Sequence, residues 1–457
     1  MTKYGKLSKI QSNQNGEFMA KLLSLVLPIA FQQFMLSLVS ASDAVMLGRL
    51  TQDALSAVSL AGQVAFVQNL FLAAMTIGLS VLAAQYWGKK DIQSVECIFA
   101  YVFKITVTVS ALFMLMSFLF PEFLMQLFTQ DKILIVYGAT YLRVVSLSYL
   151  LTGISQIFLC ILKNSGKALR SSIISSVSVI ANIVLNAVLI FGLFGFPRME
   201  IAGAALATVI ARFIETTWCC LETAIQNGVK LRFGNILKDN TVLRHDFWQY
   251  TFPILGNEVV WGIGFTMYSV IMGHLGSDAV AANSIANIVK NLIACLCIGL
   301  GNGSGIMVGA ELGAGRLEKA RTYGNKLCRL SVMLGIISGI VLLILVPVIP
   351  SFANLSSQSA FYLKLMLAMC SYYMIGRSVN GTTIAGIFCA GGDSRFGFFC
   401  DAVTMWCVTV PLGCLAAFVF HLPVLAVFFI INLDEIVKLP AVYLHYKKYL
   451  WVRNLTK

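Results

Sequence analysis

PIAFQQFMLSLVSASDAVMLG, from Pro28 to Gly48, returns in altered form as PILGNEVVWGIGFTMYSVIMG, from Pro253 to Gly273. The two stretches align without a gap, and the alignment continues to Gly88 and Gly313. Along it Ile29/Ile254, Val45/Val270, Leu50/Leu275, Asp53/Asp278, Ala57/Ala282, Ser59/Ser284 and Gly78/Gly303 are retained. The repeated unit is largely apolar and runs in the same direction both times. Carriers are commonly built from internally repeated helix bundles that rock around a shared cavity, so transport is the first function to weigh.

Composition sets the solvent. The chain is 58% hydrophobic and 12% charged, with a mean hydropathy of +0.83, a balance that a water-soluble globule of this size does not carry. An all-α integral membrane fold follows. Apolar stretches long enough to cross a hydrocarbon core of about 30 Å divide at polar or Gly/Pro breaks into twelve transmembrane helices: 18–48, 54–87, 95–119, 136–162, 168–194, 201–225, 247–275, 278–312, 318–348, 360–389, 395–420 and 422–446. Six fall in each half, which predicts two repeated lobes, 18–225 and 247–446. Residues 1–17 are a polar N-terminal segment, disordered or lying on the inner surface. The longest polar break, 226–246, is the linker between lobes, and 447–457 form a tail.

Basic residues test this count, because short cytoplasmic loops collect Lys and Arg. With both termini inside, the outer loops hold only Arg49, Lys132 and Arg198, while the inner segments hold runs such as Lys89-Lys90, Lys163/Lys167/Arg170 and Arg316 to Arg329. The net charge of +13 therefore reads as orientation against an anionic inner leaflet in the cell membrane, not as a nucleic-acid surface. The first apolar stretch has no small-residue cleavage site and reads as a retained helix. The twelve cysteines fall almost all in apolar spans, with no CxxC and no metal-ligand spacing. Cys400, Cys407 and Cys414, seven apart, read as a packing stripe. No cofactor or metal is expected.

The run from Gly299 to Gly305 fits no phosphate-loop pattern. Its period is four, Gly301, Gly305, Gly309 and Gly313, matched in the first half by Thr76, Ser80, Ala84 and Gly88. Such faces let helices approach closely in lipid. Pro28 and Pro253 each fall inside the first span of a half, where proline removes a backbone hydrogen bond. A structural kink and a functional hinge are equally consistent with that position.

Each carboxylate within a span costs about 2.5–3.5 kcal/mol and needs a partner, a cavity or a purpose. Asp43 lies five residues before Gly48, in the outer half of the first span, where it could load a proton or metal cation from outside. Its repeat mate is Tyr268. Glu258, near the midplane of the seventh span, has Gln33 as its mate. Asp401, Asp434 and Glu435 follow in the eleventh and twelfth spans. Lys290 is a neutralising partner for Asp401 or Glu258, and Glu435 pairs most simply with Lys438 one turn on. Asn182 and Asn186 share one helix face, either knitting helices or holding a cation.

Several of these stretches resemble the multidrug and toxic compound extrusion (MATE) family of secondary antiporters. Pro28 to Gln33 with Asp43 to Gly48 looks like its opening helix, Asn182 to Thr208 like its fifth and sixth, Gly299 to Arg316 like its eighth, and Ala390 to Arg395 like the link from tenth to eleventh. The resemblance implies a V of two six-helix lobes that exports substrate against inward H⁺ or Na⁺. It also implies a first-lobe cation or proton site of Asp43, Asn182, Asn186 and Thr208, with bending at Pro28. Asn186 stands where an Asp is frequent, which favours proton over sodium. The acid that one branch keeps in the tenth helix is replaced here by Arg377, Ser378 and Asn380, so that second-lobe site is expected to be either absent or rebuilt around Glu258.

The expected function is a cation-coupled antiporter, driven by H⁺ or else Na⁺, that exports small organic cations as a monomer among membrane lipids. Its 31 Phe and 17 Met suit flat, greasy cations, although lipid-facing filler explains most of them. The alternative is a flippase of lipid-linked saccharide precursors, which usually has more spans or an Arg-rich cavity. An enzyme is disfavoured, since His245, His274, His421 and His445 lie near loops or ends without an acid–base pair.

Overall fold

In the computed structural model, residues 3–225, 229–232, 234, 240–352 and 355–456 are described. Parts of the expected 226–246 linker, 226–228, 233 and 235–239, lie outside them, as do Met1, Thr2 and Lys457. Every regular element is helical among the described residues. Twelve helical segments in chain order form the body. They are α1 (Lys3–Gly48), α2 (Gln52–Lys89), α3 (Ile92–Leu119), α4 (Lys132–Asn164), α5 (Ala168–Phe191) and α6 (Glu200–Ile225), then α7 (Thr241–Gly273), α8 (Ser277–Gly313), α9 (Leu317–Leu345), α10 (Ser357–Asn380), α11 (Ser394–Ala402) and α12 (Val424–Ile431).

Among the described residues, ten helices are long and apolar enough to cross a membrane. The exceptions are α10, which carries Lys364 and Arg377, and α12, which breaks at Asn432-Leu433 and resumes as Asp434–Val437 and Leu439–Lys447. The last three helices are irregular in a second way. Past Asn380 the chain continues in π-helical backbone over Gly381–Phe388, and past Ala402 it does so over Val403–Thr409 and Leu415–Val419. π-turns inside helices often mark functional sites, and broken helices survive in lipid where they line a cavity or pack on protein.

Two sequence expectations change here. The first helix begins at Lys3, so the polar leader continues it instead of lying free. The cysteine stripe is not one packing face, because the π-turns shift the phase: Cys400 is buried, Cys414 half-buried and Cys407 exposed. Both α1 and α7 run unbroken past Pro28 and Pro253.

The halves meet through α1 and α2 against α7 and α8, and small residues permit it. A Cβ on Gly299 would strike Ala30 and one on Gly303 would meet Val26, both on α1. Gly301 and Gly305 face backbone of Gly381 and Gly386, and Gly309 and Gly313 face Ala84 and Gln85 of α2. The period-four stripe therefore serves two neighbours, and its first-half counterpart divides likewise: Ala84 and Gly88 form the crossing, whereas Thr76 and Ser80 line a cavity.

Polar contacts that join the halves gather at the end rich in basic residues. Buried Glu311 receives Lys21 Nζ of α1 at 3.2 Å and Arg316 Nε at 2.5 Å, with Lys319 Nζ at 3.7 Å. Trp248 Nε1 donates to Tyr101 Oη at 2.9 Å. Gln85, fully buried, is a hub: its Nε2 donates to Ala390 O at 2.7 Å, and its Oε1 accepts from Leu455 N at 2.7 Å. Lys89 Nζ donates to Thr456 O at 2.6 Å. Residues after α12 are thus wedged between α2 and the α10–α11 turn, with Trp451 fully buried against Gly324 and stacked 5.6 Å from Tyr446. Trp451→Ala is expected to cost about 3–5 kcal/mol, as large buried aromatics do, and thermal unfolding in detergent checks it.

Candidate functional site

Helical spacing on α5 stacks Asn182 and Asn186 one turn apart, and α1 brings Asp43 alongside. Asn186 Nδ2 donates to Asp43 Oδ1 at 2.6 Å and to Asn182 Oδ1 at 3.1 Å. Asn182 Nδ2 approaches Thr208 Oγ1 of α6 at 3.4 Å, and Thr208 Oγ1 donates to Ala204 O at 3.0 Å. The four first-lobe residues thus form one hydrogen-bonded row across three helices. Asp43 is half-buried, while both asparagines are buried.

One turn beyond Thr208 stands Arg212, whose Nη1 donates to Glu215 Oε2 at 2.6 Å. Glu215 is fully buried, accepts a second bond from Ser155 Oγ at 3.2 Å, and keeps Oε1 unpartnered. Sequence reading passed over this pair. Its signal was the spacing of three, which places base and acid on one face of an otherwise apolar helix.

Arg212 also lines a cavity of about 530 Å³ between the two halves, a volume in the range of small-molecule sites. Gln33 of α1 reaches it, as do Asn69, Gln156, Asn164 and Asn302. Its charged lining side chains among the described residues are Arg212 and Lys163. A second chamber of about 200 Å³ adjoins it, sharing Asn302 and Ala385 in its wall. Glu258, Arg377, Asp401, Glu435 and Lys438 line this smaller chamber.

The charges around the second chamber come from four segments. Lys438 Nζ donates to Asp401 Oδ1 at 2.7 Å and pairs with Glu435 Oε2 at 3.2 Å. Glu435 also takes Arg377 Nη1 at 3.3 Å and Asn380 Nδ2 at 2.7 Å. Asp434 is buried beside them with Oδ1 unpartnered. The C-terminal end of α10 and the break in α12 bring Asn380, Glu435 and Lys438 to this spot. Among the described residues, no cluster of three His, Cys, Asp or Glu side chains could hold a metal ion.

A profile of the MatE family matches residues 28–188 and 253–440, each match opening at one of the two repeated prolines. The chain belongs to the MATE family of multidrug efflux transporters. It is a multi-pass membrane transporter, and the family is not enzymatic. This MATE protein is 22% identical to an uncharacterized transporter, YisQ, of Bacillus subtilis over 95% of both chains. It is 23% identical to the probable multidrug resistance protein NorM of Thermotoga maritima, over 90% of this chain and 88% of that one. Among solved structures it is similar to a MATE in complex with MaL6, with a TM-score of 0.86 at 16% identity over 94% and 96% of the chains. It is also similar to an outward-facing MATE of the MOP superfamily, at 0.85 and 16% over 94% and 95%. The shared fold is all-α, with two six-helix lobes around the central cavity.

Lys290 of this MATE protein does not neutralise Asp401 or Glu258. Its Nζ donates to Asn432 Oδ1 at 3.3 Å and stands 4.5 Å from the Tyr373 ring, while Lys438 takes Asp401 because the break in α12 turns it toward α11. Glu435 does meet Lys438, as one member of a larger cluster. Tyr268 turns to α11, sharing a hydrogen bond with Thr409 Oγ1 at 2.6 Å. His445, read from sequence as unpaired, holds Asp393 through Nε2 at 2.6 Å and stacks on Phe396; that contact ties the end of α12 to the α10–α11 turn. Removing the Lys438 ammonium leaves two buried carboxylates without their shared cation. Lys438→Met should therefore destabilise by about 3–5 kcal/mol, and Asp401→Asn added to it should restore part of the loss, read by thermal unfolding of both variants.

Proposed function

We propose that this MATE protein exports small organic molecules bearing a cationic group in exchange for protons taken up at Asp43, with its basic end and both termini in the cytoplasm of a cell-membrane setting. The lobes are 18–225 and 247–446, joined by a cytoplasmic linker at 226–246. The observation that carries the coupling is the row from Asp43 through Asn186 and Asn182 to Thr208, which ends one helical turn from Arg212 in the cavity wall. A change of charge on Asp43 is felt along α6 by the wall that contacts substrate.

The polarity of Asn186 favours the proton. With Asn186 in place of a second carboxylate, the row holds a single acid, Asp43, which accepts from the Asn186 amide, an arrangement that suits one exchanging proton more than a hard cation that needs several charged oxygens. Glu258, Asp401 and Glu435 give the smaller chamber a surplus of one acid over Arg377 and Lys438, which supports recognition of a cationic group there. An inside-negative potential supplies about 2.3 kcal/mol per charge per 100 mV, more than a tenfold concentration ratio. With Gln85, Glu311 and the wedged tail joining the lobes at the basic end, the state is read as closed toward the cytoplasm. Reconstituted counterflow with H⁺ and Na⁺ gradients imposed separately, against a panel of cationic dyes, tests the proposal. Export driven by Na⁺ alone would overturn the proton assignment.

A further inference from the structure

The two adjoining chambers carry opposite charge, and each holds one ionic side chain without a direct polar contact, because the opposite charge near it is already engaged: Glu215, near Lys163, is held by Arg212, and Arg377, near Glu258, is held by Glu435. In the larger chamber Arg212 is already engaged by Glu215. Lys163, half-buried in the last turn of α4, lines the same wall, and its ammonium makes neither a hydrogen bond nor an ion pair among the described residues. In the smaller chamber Asp401 and Glu435 are engaged by Lys438 and Arg377. Glu258, also half-buried, has neither kind of contact among the described residues. Between these groups the wall is amide and small-residue surface, with Asn302 and Ala385 common to both chambers.

A half-buried charge inside a membrane protein is costly unless it meets a partner or a polar cavity. Here the direct contacts that Lys163 and Glu258 lack call for groups of opposite sign, one boundary apart. We propose that the substrate is amphoteric: its cationic group lies against Glu258 in the second lobe and an acidic group lies against Lys163 in the first. This rests on the reading that the two chambers hold the transported molecule, and it adds a requirement which the coupling scheme does not make. A ligand that spans both chambers bridges the lobes, so neither charged end alone achieves the full interaction. Blocking the acid removes the contact with Lys163 and leaves the contact with Glu258 intact.

The test uses a rhodamine methyl ester, which is purely cationic, and the same dye as its free acid, which carries the cation and a carboxylate. Binding to the purified full chain in detergent, followed by fluorescence polarisation without any ion gradient, should be about tenfold tighter for the free acid, the scale of one charge-assisted contact. Lys163→Gln should weaken the acid alone and erase the difference, Lys163→Arg should keep it, and Glu258→Gln should weaken both dyes. Each variant is its own control for folding, since the readout is a ratio of two dyes on one protein. Equal affinity in the unmodified chain, tighter binding of the ester, or a preference for the acid that survives Lys163→Gln overturns the proposal. Failure of proton coupling in vesicles leaves these binding ratios untouched, so the two readings fall separately.

Discussion

Asp43→Asn is expected to abolish gradient-driven export in proteoliposomes while leaving exchange of substrate across the membrane at equal pH. Asparagine keeps the size of the side chain and a carbonyl oxygen that can still accept from Asn186 Nδ2, now at 2.6 Å from Asp43 Oδ1. It cannot take up or release a proton. What disappears is the difference between two charge states of α1, and with it the free energy that the proton gradient contributes to moving substrate. Couplings between sites are typically worth 1–3 kcal/mol, or about 5–150-fold in affinity, so accumulation against a gradient should fall by at least about fivefold. Retained dye exchange with no driven accumulation is the diagnostic pair. Full pH-driven accumulation by the variant would remove Asp43 from the coupling scheme.

Gly313→Val should prevent the lobes from closing at the basic end. A Cβ at Gly313 meets the Gln85 carbonyl, and one at Gly88 meets the Ala310 carbonyl, so α2 and α8 cross with backbone against backbone. There is no flexible side chain to yield. A branched residue must push the helices apart, and that separation strips Gln85 of its bonds to Ala390 and Leu455. Transport should drop by about tenfold or more, in line with an overpacking penalty of 1–3 kcal/mol placed on one state of the cycle. Native Cys160 and Cys389, both in the wall of the larger cavity, should become reactive toward a membrane-impermeant maleimide applied from the basic side, located by peptide mapping. A variant whose cysteines stay as protected as in the unmodified protein would show that this crossing does not hold the lobes shut.

Much of this architecture could be read in advance because it is written in regular spacing. Ten of the twelve helices follow from hydropathy, the lobes from the repeat, and the neighbourhood of Asn182 and Asn186 from a separation of four on one helix. Asp43 joined them only through resemblance, since nothing in a linear sequence says that α1 lies beside α5. The second lobe was less legible for a definite reason. Its charged cluster assembles from α7, α10, α11 and α12 where the helices leave the 3.6-residue period, at Gly381–Phe388, Val403–Thr409 and the break after Ile431. Once the phase slips, residues assigned to one face turn to another, which is how Lys438 and not Lys290 came to Asp401. For Glu311 and Glu215 the spacing shows the local partners, Arg316 and Arg212, but not the contacts with Lys21 and Ser155, which come from helices far away in the chain.

Helix α8 behaves as an axle. Gly299 and Gly303 bear on α1, Gly301 and Gly305 on the π-helical stretch that continues α10, and Gly309 and Gly313 on α2, so three neighbours are fitted to one shaft with no clearance. Evolution of new substrate ranges in such a machine has little freedom along that shaft, where an added methyl group at any of these glycines meets a neighbouring helix. The cheaper ground for change is the walls supplied by α4 and α6, around Gln156, Lys163 and Arg212, and laboratory selection for altered cargo should draw its winning substitutions from there.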